Sequence, residues 1–249
     1  MTIARALARC SQKVRPLLRS SLAAAICLGL LIPVAAVQAY QVSPMIYDLK
    51  PAGAGAATII RVRNDGEKPL TIELEVEKRS FDENAVESRT PADDDFVVFP
   101  LQAVVQPGKV QAVRVQYVGK ADLKQSETYL VTVKQVPVAL PDQKESGVQM
   151  VFNFSTMASI VPEGAKPEVE LVSSVRDAKG LELRLRNSGS RYANLVSSKV
   201  MIGGKPLSDE AWRGALRTVW LFPGKDRVIR IADVPASGEI AFEYADPTA

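Results

Sequence analysis

Hydrophobic and polar positions alternate with a period of two over many short runs of this 249-residue chain. The cleanest run is 70–78, where Leu70, Ile72, Leu74 and Val76 alternate with Thr71, Glu73, Glu75 and Glu77. Side chains two apart share a strand face, so this run predicts a strand with one buried and one wet face. The same pattern predicts strands over 41–49, 57–63, 96–100, 103–105, 110–118 and 128–136, with turns at Asn64-Asp65-Gly66 and Pro107-Gly108. Residues 79–95 and 138–146 read as polar loops. Pro162-Glu163-Gly164 and Pro167 break the pattern, and strands restart over 169–175, 181–186, 192–202, 217–222, 227–231 and 239–244. Residues 209–216 are the one short helix candidate.

One stretch, GVQMVFNFSTMASIVP at 147–162, departs from simple alternation. Val148, Met150, Phe152 and Phe154 share one face, while Val151 and then Met157 make the other face apolar too. A strand of a two-sheet sandwich has only one face in its own core. The second apolar face is therefore explained by a partner protein. On alternation alone, a core strand and a partner-binding strand fit equally well.

The strand count predicts an all-β chain of two immunoglobulin-like sandwiches, at the short, regular spacing such folds use. The first spans 40–161 and the second 162–249, with Val161 and Pro162 at the elbow. Residues 1–39 read as a signal peptide. Arg5, Arg9, Lys13, Arg15 and Arg19 precede an uncharged run that ends in Val37-Gln38-Ala39, so cleavage leaves Tyr40 first. An uncleaved anchor is the lesser reading.

Removing the leader changes the charge. The chain has 31 Lys+Arg and 28 Asp+Glu; five basic residues leave, so 26 stand against 28, a net of −2. The basic balance belongs to the leader, and no mature stretch interleaves a basic patch with aromatics, which argues against nucleic acid. Both cysteines, Cys10 and Cys27, lie in the leader, and there is no histidine. Cys or His nucleophile–base pairs and the usual zinc and copper ligands are thereby excluded, and no cofactor or metal is expected.

The remaining polar constellations have plain explanations. Asp93-Asp94-Asp95 are adjacent and point in different directions, unlike a calcium loop, and read as a solvated acidic turn. Glu73, Glu75 and Glu77 read as the wet face of a strand instead of a carboxylate pair for glycoside hydrolysis. Gly53-Ala54-Gly55-Ala56 lacks the following helix and Lys-Ser/Thr of a phosphate cradle. Ser155-Thr156 with Lys134 has no Ser-x-x-Lys spacing to support a catalytic pair.

FVVFPLQAVVQPGKVQAVRVQY at 96–117, TYLVTVKQVPV at 128–138 and VQMVFNFSTMASIVPEGAKP at 148–167, together with SPMIYDL at 43–49 and LELRLRNSGSRYANL at 181–195, resemble the periplasmic pilus-assembly chaperones of the chaperone–usher pathway. The resemblance runs in the same order through the whole mature chain. It implies two immunoglobulin-like domains in a boomerang arrangement, a periplasmic location and no enzymatic activity. It also implies that the last strand of the first domain is lent to an incomplete pilin, a known mode of β-augmentation. Val148, Met150, Phe152 and Phe154 match the donor positions, counted back from Pro162. The partners implied are pilin subunits and an outer-membrane usher, with self-association as a way of covering the free strand.

The family holds the pilin C-terminal carboxylate between an arginine on the first strand and a lysine near the end of the donor strand. Those places hold Pro44 and Met157 here, a departure from the pattern. Lys134, on the strand next to the donor, reads as an ordinary solvated lysine, with a substitute carboxylate anchor as the lesser reading. The expected function is thus a pilin-binding periplasmic chaperone. The alternative is a secreted immunoglobulin-like structural or adhesion module, which requires Phe152 and Phe154 to be sealed in their own domain. An exported carboxylate-based hydrolase is a third class.

Overall fold

The computed structural model describes residues 40–137, 150–235 and 237–247; the leader, the 138–146 loop and Val148 lie outside the described residues. The chain is all-β. Its first sandwich is built from β1 (Gln41–Ser43), β2 (Ile46–Leu49), β3 (Ala57–Arg63), β4 (Leu70–Phe81), β5 (Glu87–Pro91), β6 (Phe96–Phe99), β7 (Gln102–Val105), β8 (Val110–Tyr117), β9 (Glu127–Gln135) and β10 (Asn153–Ile160). One sheet has the order β1-β3-β8-β6; the other runs β2-β10-β9-β4-β5, with β7 also on β4. The run predicted over 41–49 is two strands in different sheets, because the chain crosses the sandwich at Pro44-Met45. Inward residues of both sheets, among them Ile60, Val62, Ile72, Val113, Tyr129 and Ile160, form one core.

The polar stretch expected as a loop over 79–95 contains the end of one strand and the whole of another. β4 continues to Phe81 and turns back into β5, pairing Arg79 with Arg89 and Phe81 with Glu87. The Asp82 carboxylate accepts the N–H groups of Asn84 and Val86 at the turn. Residues 87–91 are nearly all exposed or half-buried, so no apolar alternation advertises the strand.

The second sandwich contains β11 (Val169–Asp177), β12 (Gly180–Asn187), β13 (Ala193–Asn194), β14 (Lys199–Ile202), β15 (Lys205–Pro206), α1 (Asp209–Ala215), β16 (Trp220–Leu221), β17 (Asp226–Ile231) and β18 (Ile240–Glu243). The Ser208 hydroxyl accepts the Ala211 N–H, and Asp209 and Glu210 occupy the first turn, the expected start of a short helix. Trp212 pins that helix to the core by donating its indole N–H to Leu195 O at 2.8 Å. The strand expected over 192–202 is interrupted by a 3₁₀ turn at Leu195–Ser197.

The two sandwiches share a repeated corner. RVRNDG at 61–66 is matched by RLRNSG at 184–189, and PGKVQAVRV at 107–115 by PGKDRVIRI at 223–231. The hydrogen bonds repeat with the residues. Asn64 donates its side-chain amide to Lys68 O and Val105 O, and Asn187 donates to Arg191 O and Leu221 O. The side-chain oxygen of each accepts from the glycine two residues on, Gly66 or Gly189. Each backbone carbonyl accepts from the turn glycine, Gly108 or Gly224. Strand register repeats as well: Arg63 faces Val110 as Arg186 faces Asp226, and Ile59 faces Arg114 as Glu182 faces Arg230.

A separate apolar cluster joins the sandwiches. Phe81 and Met157 from the first meet Tyr192 and Phe222 from the second, with Val161 and Trp220 against them. The tip of the β4–β5 hairpin adds polar ties: Glu83 O accepts the Val228 N–H at 2.8 Å, and the Glu83 carboxylate pairs with Arg184 at 2.6 Å.

Candidate functional site

β10 lies between β9 and β2, but the two neighbours cover different lengths of it. β9 pairs with all of 153–160, whereas β2 runs parallel to 157–160 only. Met157 donates its N–H to Met45 O, and Val161 donates to Leu49 O, each at 2.8 Å. By the two-residue period, the backbone groups of Asn153 and Ser155 point to that same side, where no described strand lies. The first half of β10 therefore presents a bare edge.

The inward face of β10 emerges from the core as it approaches this edge. Ile160, Ala158 and Thr156 are fully buried. Phe154 and Phe152 are half-buried at the rim of the core, and Met150 is 61 % exposed. On the opposite face Val151 is also exposed. The strand expected over 148–154 begins at Asn153, so Met150 and Phe152 precede the β10 ladder. Phe152 is held there by Gln135, whose side-chain oxygen accepts the Phe152 N–H at 3.2 Å.

Tyr40 closes the inner side of this rim. Its ring meets Phe154 edge-on at 4.8 Å, and its hydroxyl is shared between Val133 O at 2.8 Å and Phe152 O at 2.9 Å. Burial pushes its phenol up to about 12. Tyr47 acts one turn of the strand further on. Thr156 Oγ1 donates to Val131 O, so the 3.3 Å contact between Tyr47 and Thr156 has Tyr47 as donor. Burial likewise raises the Tyr47 phenol to about 12. Sequence reasoning passed over both tyrosines, because a partner contact carries a strong apolar signal and a rim hydrogen bond carries none.

The two places assigned to basic residues by the resemblance are apolar in space as in sequence. Met157 is buried in the cluster between the sandwiches, and Pro44 is exposed at the crossing from β1 to β2. Lys134 lies on the outward face of β9 and forms an ion pair with Glu75 of β4, which raises its pKa. Val161 packs half-buried against the junction, and Pro162 O accepts the Ala165 N–H at 3.2 Å. Close to them Asp48 pairs with Arg191 and accepts from the Tyr192 hydroxyl, both at 2.8 Å. Glu75 and Glu77 have cationic partners in Lys134 and Arg89, and Glu73 accepts from Gln102. Among the described residues no three acidic, histidine or cysteine side chains converge as metal ligands.

Residues 49–166 match the family model of the pili and flagellar-assembly chaperones, PapD N-terminal domain. No curated protein matches the chain. Among solved structures, the chain is similar to the chaperone–tip adhesion subunit pre-assembly complex CsuC–CsuE from the archaic Csu pili of Acinetobacter baumannii. The identity is 15 %, the TM-score 0.59, and the match covers 82 % of this chain and 97 % of that one. It is similar to the Escherichia coli chaperone DraB at 20 % identity and TM-score 0.54, covering 84 % and 92 %. The complex of SafA pilin with the SafB chaperone of Salmonella enterica matches at 16 % identity and TM-score 0.54, covering 84 % and 97 %. At these identities the structural likeness concerns the fold, while the matched family model reaches from Leu49 through β10 into the elbow. Residues 49–166 thus belong, as a divergent N-terminal domain, to the pilus-assembly chaperone family whose model they match, and the chain as a whole has the fold of two immunoglobulin-like sandwiches.

Proposed function

We propose that the protein is a periplasmic chaperone that captures pilin subunits by lending them the first half of β10 and the residues before it, and delivers them to an outer-membrane usher. The observation that carries this reading is the coincidence of a bare strand edge at 153–156 with an apolar face that runs out of the core through Phe154, Phe152 and Met150. An extended segment of a subunit added at that edge satisfies the exposed backbone groups and covers the apolar knobs together. The adhesion-module alternative requires Phe152 and Phe154 to be sealed; they are half-buried beside an exposed Met150.

Burying an apolar side chain completely contributes about 1.5–3 kcal/mol. Phe152 and Phe154 already have part of that contribution from their own core. Capture by the three described knobs therefore adds roughly 3–6 kcal/mol before ordering costs. Two domains, 40–161 and 162–249, with Val161 and Pro162 as the hinge, belong to the same reading. So does an anchor for the subunit terminus made without a basic pair at Pro44 and Met157.

The experiment is co-expression with a pilin in the periplasm and co-purification of the complex. Met150→Asp and Phe152→Asp are expected to abolish capture. Undiminished capture by both variants would overturn the reading.

A further inference from the structure

The repeated corner brings three arginines to the same places in both sandwiches: Arg61, Arg63 and Arg114 in the first, Arg184, Arg186 and Arg230 in the second. In the second sandwich all three are neutralised within the chain. Arg186 grips Asp226 with two bonds, at 2.7 and 3.0 Å. Arg184 pairs with Glu83, and Arg230 with Asp177 and Glu182.

In the first sandwich the cross-strand positions that hold Asp226 and Glu182 hold Val110 and Ile59 instead. The carboxylates are gone and the arginines remain. Arg61 has no ion pair among the described residues, and Arg114 donates only to Gln116. Arg63 keeps one partner, Asp65, just past the strand end. No outward position on β1, β3, β8 or β6 carries a carboxylate. Ile59 and Val110 are both about half exposed, and Phe99, which faces Arg114 across the strands, is 73 % exposed.

We propose that this outer face of the β1-β3-β8-β6 sheet binds an extended segment of a partner protein that carries carboxylates between apolar side chains. The argument is charge complementarity with an internal control. The same arginine frame, in the same register, holds carboxylates in the second sandwich, and the planar two-bond grip on Asp226 is the geometry that guanidinium offers a carboxylate. Substituting Ile59 and Val110 for the internal acids empties those positions and adds an apolar floor, so an incoming segment finds both kinds of contact. The face is remote in register from β10, lies on the opposite sheet and does not depend on the donor-strand reading.

The test uses the full mature chain and a fluorescein-labelled peptide of Glu-Ser-Leu-Ser repeats, which in extended form presents Glu and Leu in turn on one face, read by fluorescence anisotropy. Binding is expected, with loss of about fivefold in affinity for each of Arg61→Gln and Arg114→Gln, as befits exposed ion pairs. A peptide with Gln in place of Glu is expected not to bind. Ile59→Glu combined with Val110→Asp installs the second sandwich's acids; it is expected to abolish binding while the protein stays folded by circular dichroism. Met150→Asp, at the other sheet, is expected to leave the affinity unchanged. The proposal is overturned if the acidic peptide does not bind, if the arginine substitutions leave binding as it was, or if Met150→Asp removes it. It is equally overturned if equimolar phosphatidylglycerol and phosphatidylcholine vesicles bind through these arginines while the peptide does not.

Discussion

Asn64 and Asn187 stand at the same point of two different sandwiches and make the same bonds there. Each is buried, each donates to the carbonyl four residues on, and each ties its strand to the opposite sheet through Val105 O or Leu221 O. An apolar residue at either position would leave Val105 O or Leu221 O, both away from water, without a donor.

Removing either side-chain amide strands one buried and one partly buried carbonyl on two chain segments. Asn64→Ala and Asn187→Ala are each expected to destabilise the protein by about 2–4 kcal/mol, the cost of leaving buried partners unsatisfied. Urea unfolding measures it. Near-equal losses from the two variants are the signature of the shared corner; a neutral result at either site would show that the repeated bonds are not what holds it.

Burial of Tyr40, Tyr47 and Tyr192 makes a prediction at high pH. All three phenols are pushed up to about 12, by burial first and, for Tyr192, by Asp48 as well. Their ordinary value is 10.0, so the folded state resists ionisation that the unfolded state accepts. The stability they contribute is complete below pH 10 and is lost as the pH rises through about 12. Tyrosinate absorbance is therefore expected to titrate late and together with unfolding. Tyr40→Phe removes one shared hydroxyl, costs about 1 kcal/mol and leaves the Phe154 contact in place.

The sequence made the alternating strands legible wherever one face is apolar and the other wet, as in 57–63 and 70–78. It hid β5, because the hairpin tip is polar on both faces and turns toward the second sandwich. It hid the crossing at Pro44, because a strand that changes sheets keeps its composition. The apolar stretch at 147–162 was legible as unusual. What could not be read there is depth: the period shows which side chains share a face, and the opposite sheet decides where that face leaves the core. The corner repeat was present in RVRNDG and RLRNSG, but two short matches about half a chain apart acquire meaning only when register and hydrogen bonds repeat with them.

The junction between the sandwiches contains a cation in an unusual setting. The Arg227 guanidinium lies over the Phe81 ring at 5.3 Å and donates to Trp220 O at 3.2 Å, while its Nε and second terminal nitrogen have no partner among the described residues. Burial lowers its pKa. Phe81 also packs on Phe222 at 5.5 Å. Phe81→Ala removes the apolar centre and is expected to cost about 3–5 kcal/mol. Arg227→Met keeps the packing and removes a buried charge that is only partly hydrogen-bonded, so its cost is expected to stay within about 1 kcal/mol. Thermal unfolding of the two variants checks the order; a larger loss from Arg227→Met would mean that the cation, not the apolar contact, binds the junction.

The stretch from Met150 into the first half of β10 is expected to separate stability from capture. Met150 is mostly exposed, so Met150→Asp touches nothing that the free protein needs, and its stability is expected to change by less than about 0.5 kcal/mol. Phe154 packs on Tyr40 and on the rim of the core, so Phe154→Ala is expected to cost about 2–3 kcal/mol, less than at a fully enclosed position. Subunit capture should follow the opposite order at position 150, where a carboxylate enters a subunit's apolar groove without a partner. Denaturant unfolding and subunit co-purification, run on the same two variants, measure both quantities. A Met150→Asp protein that is as stable as the parent and fails to capture places the loss in the partner complex; one that unfolds early would mean that Met150 belongs to the chain's own core after all.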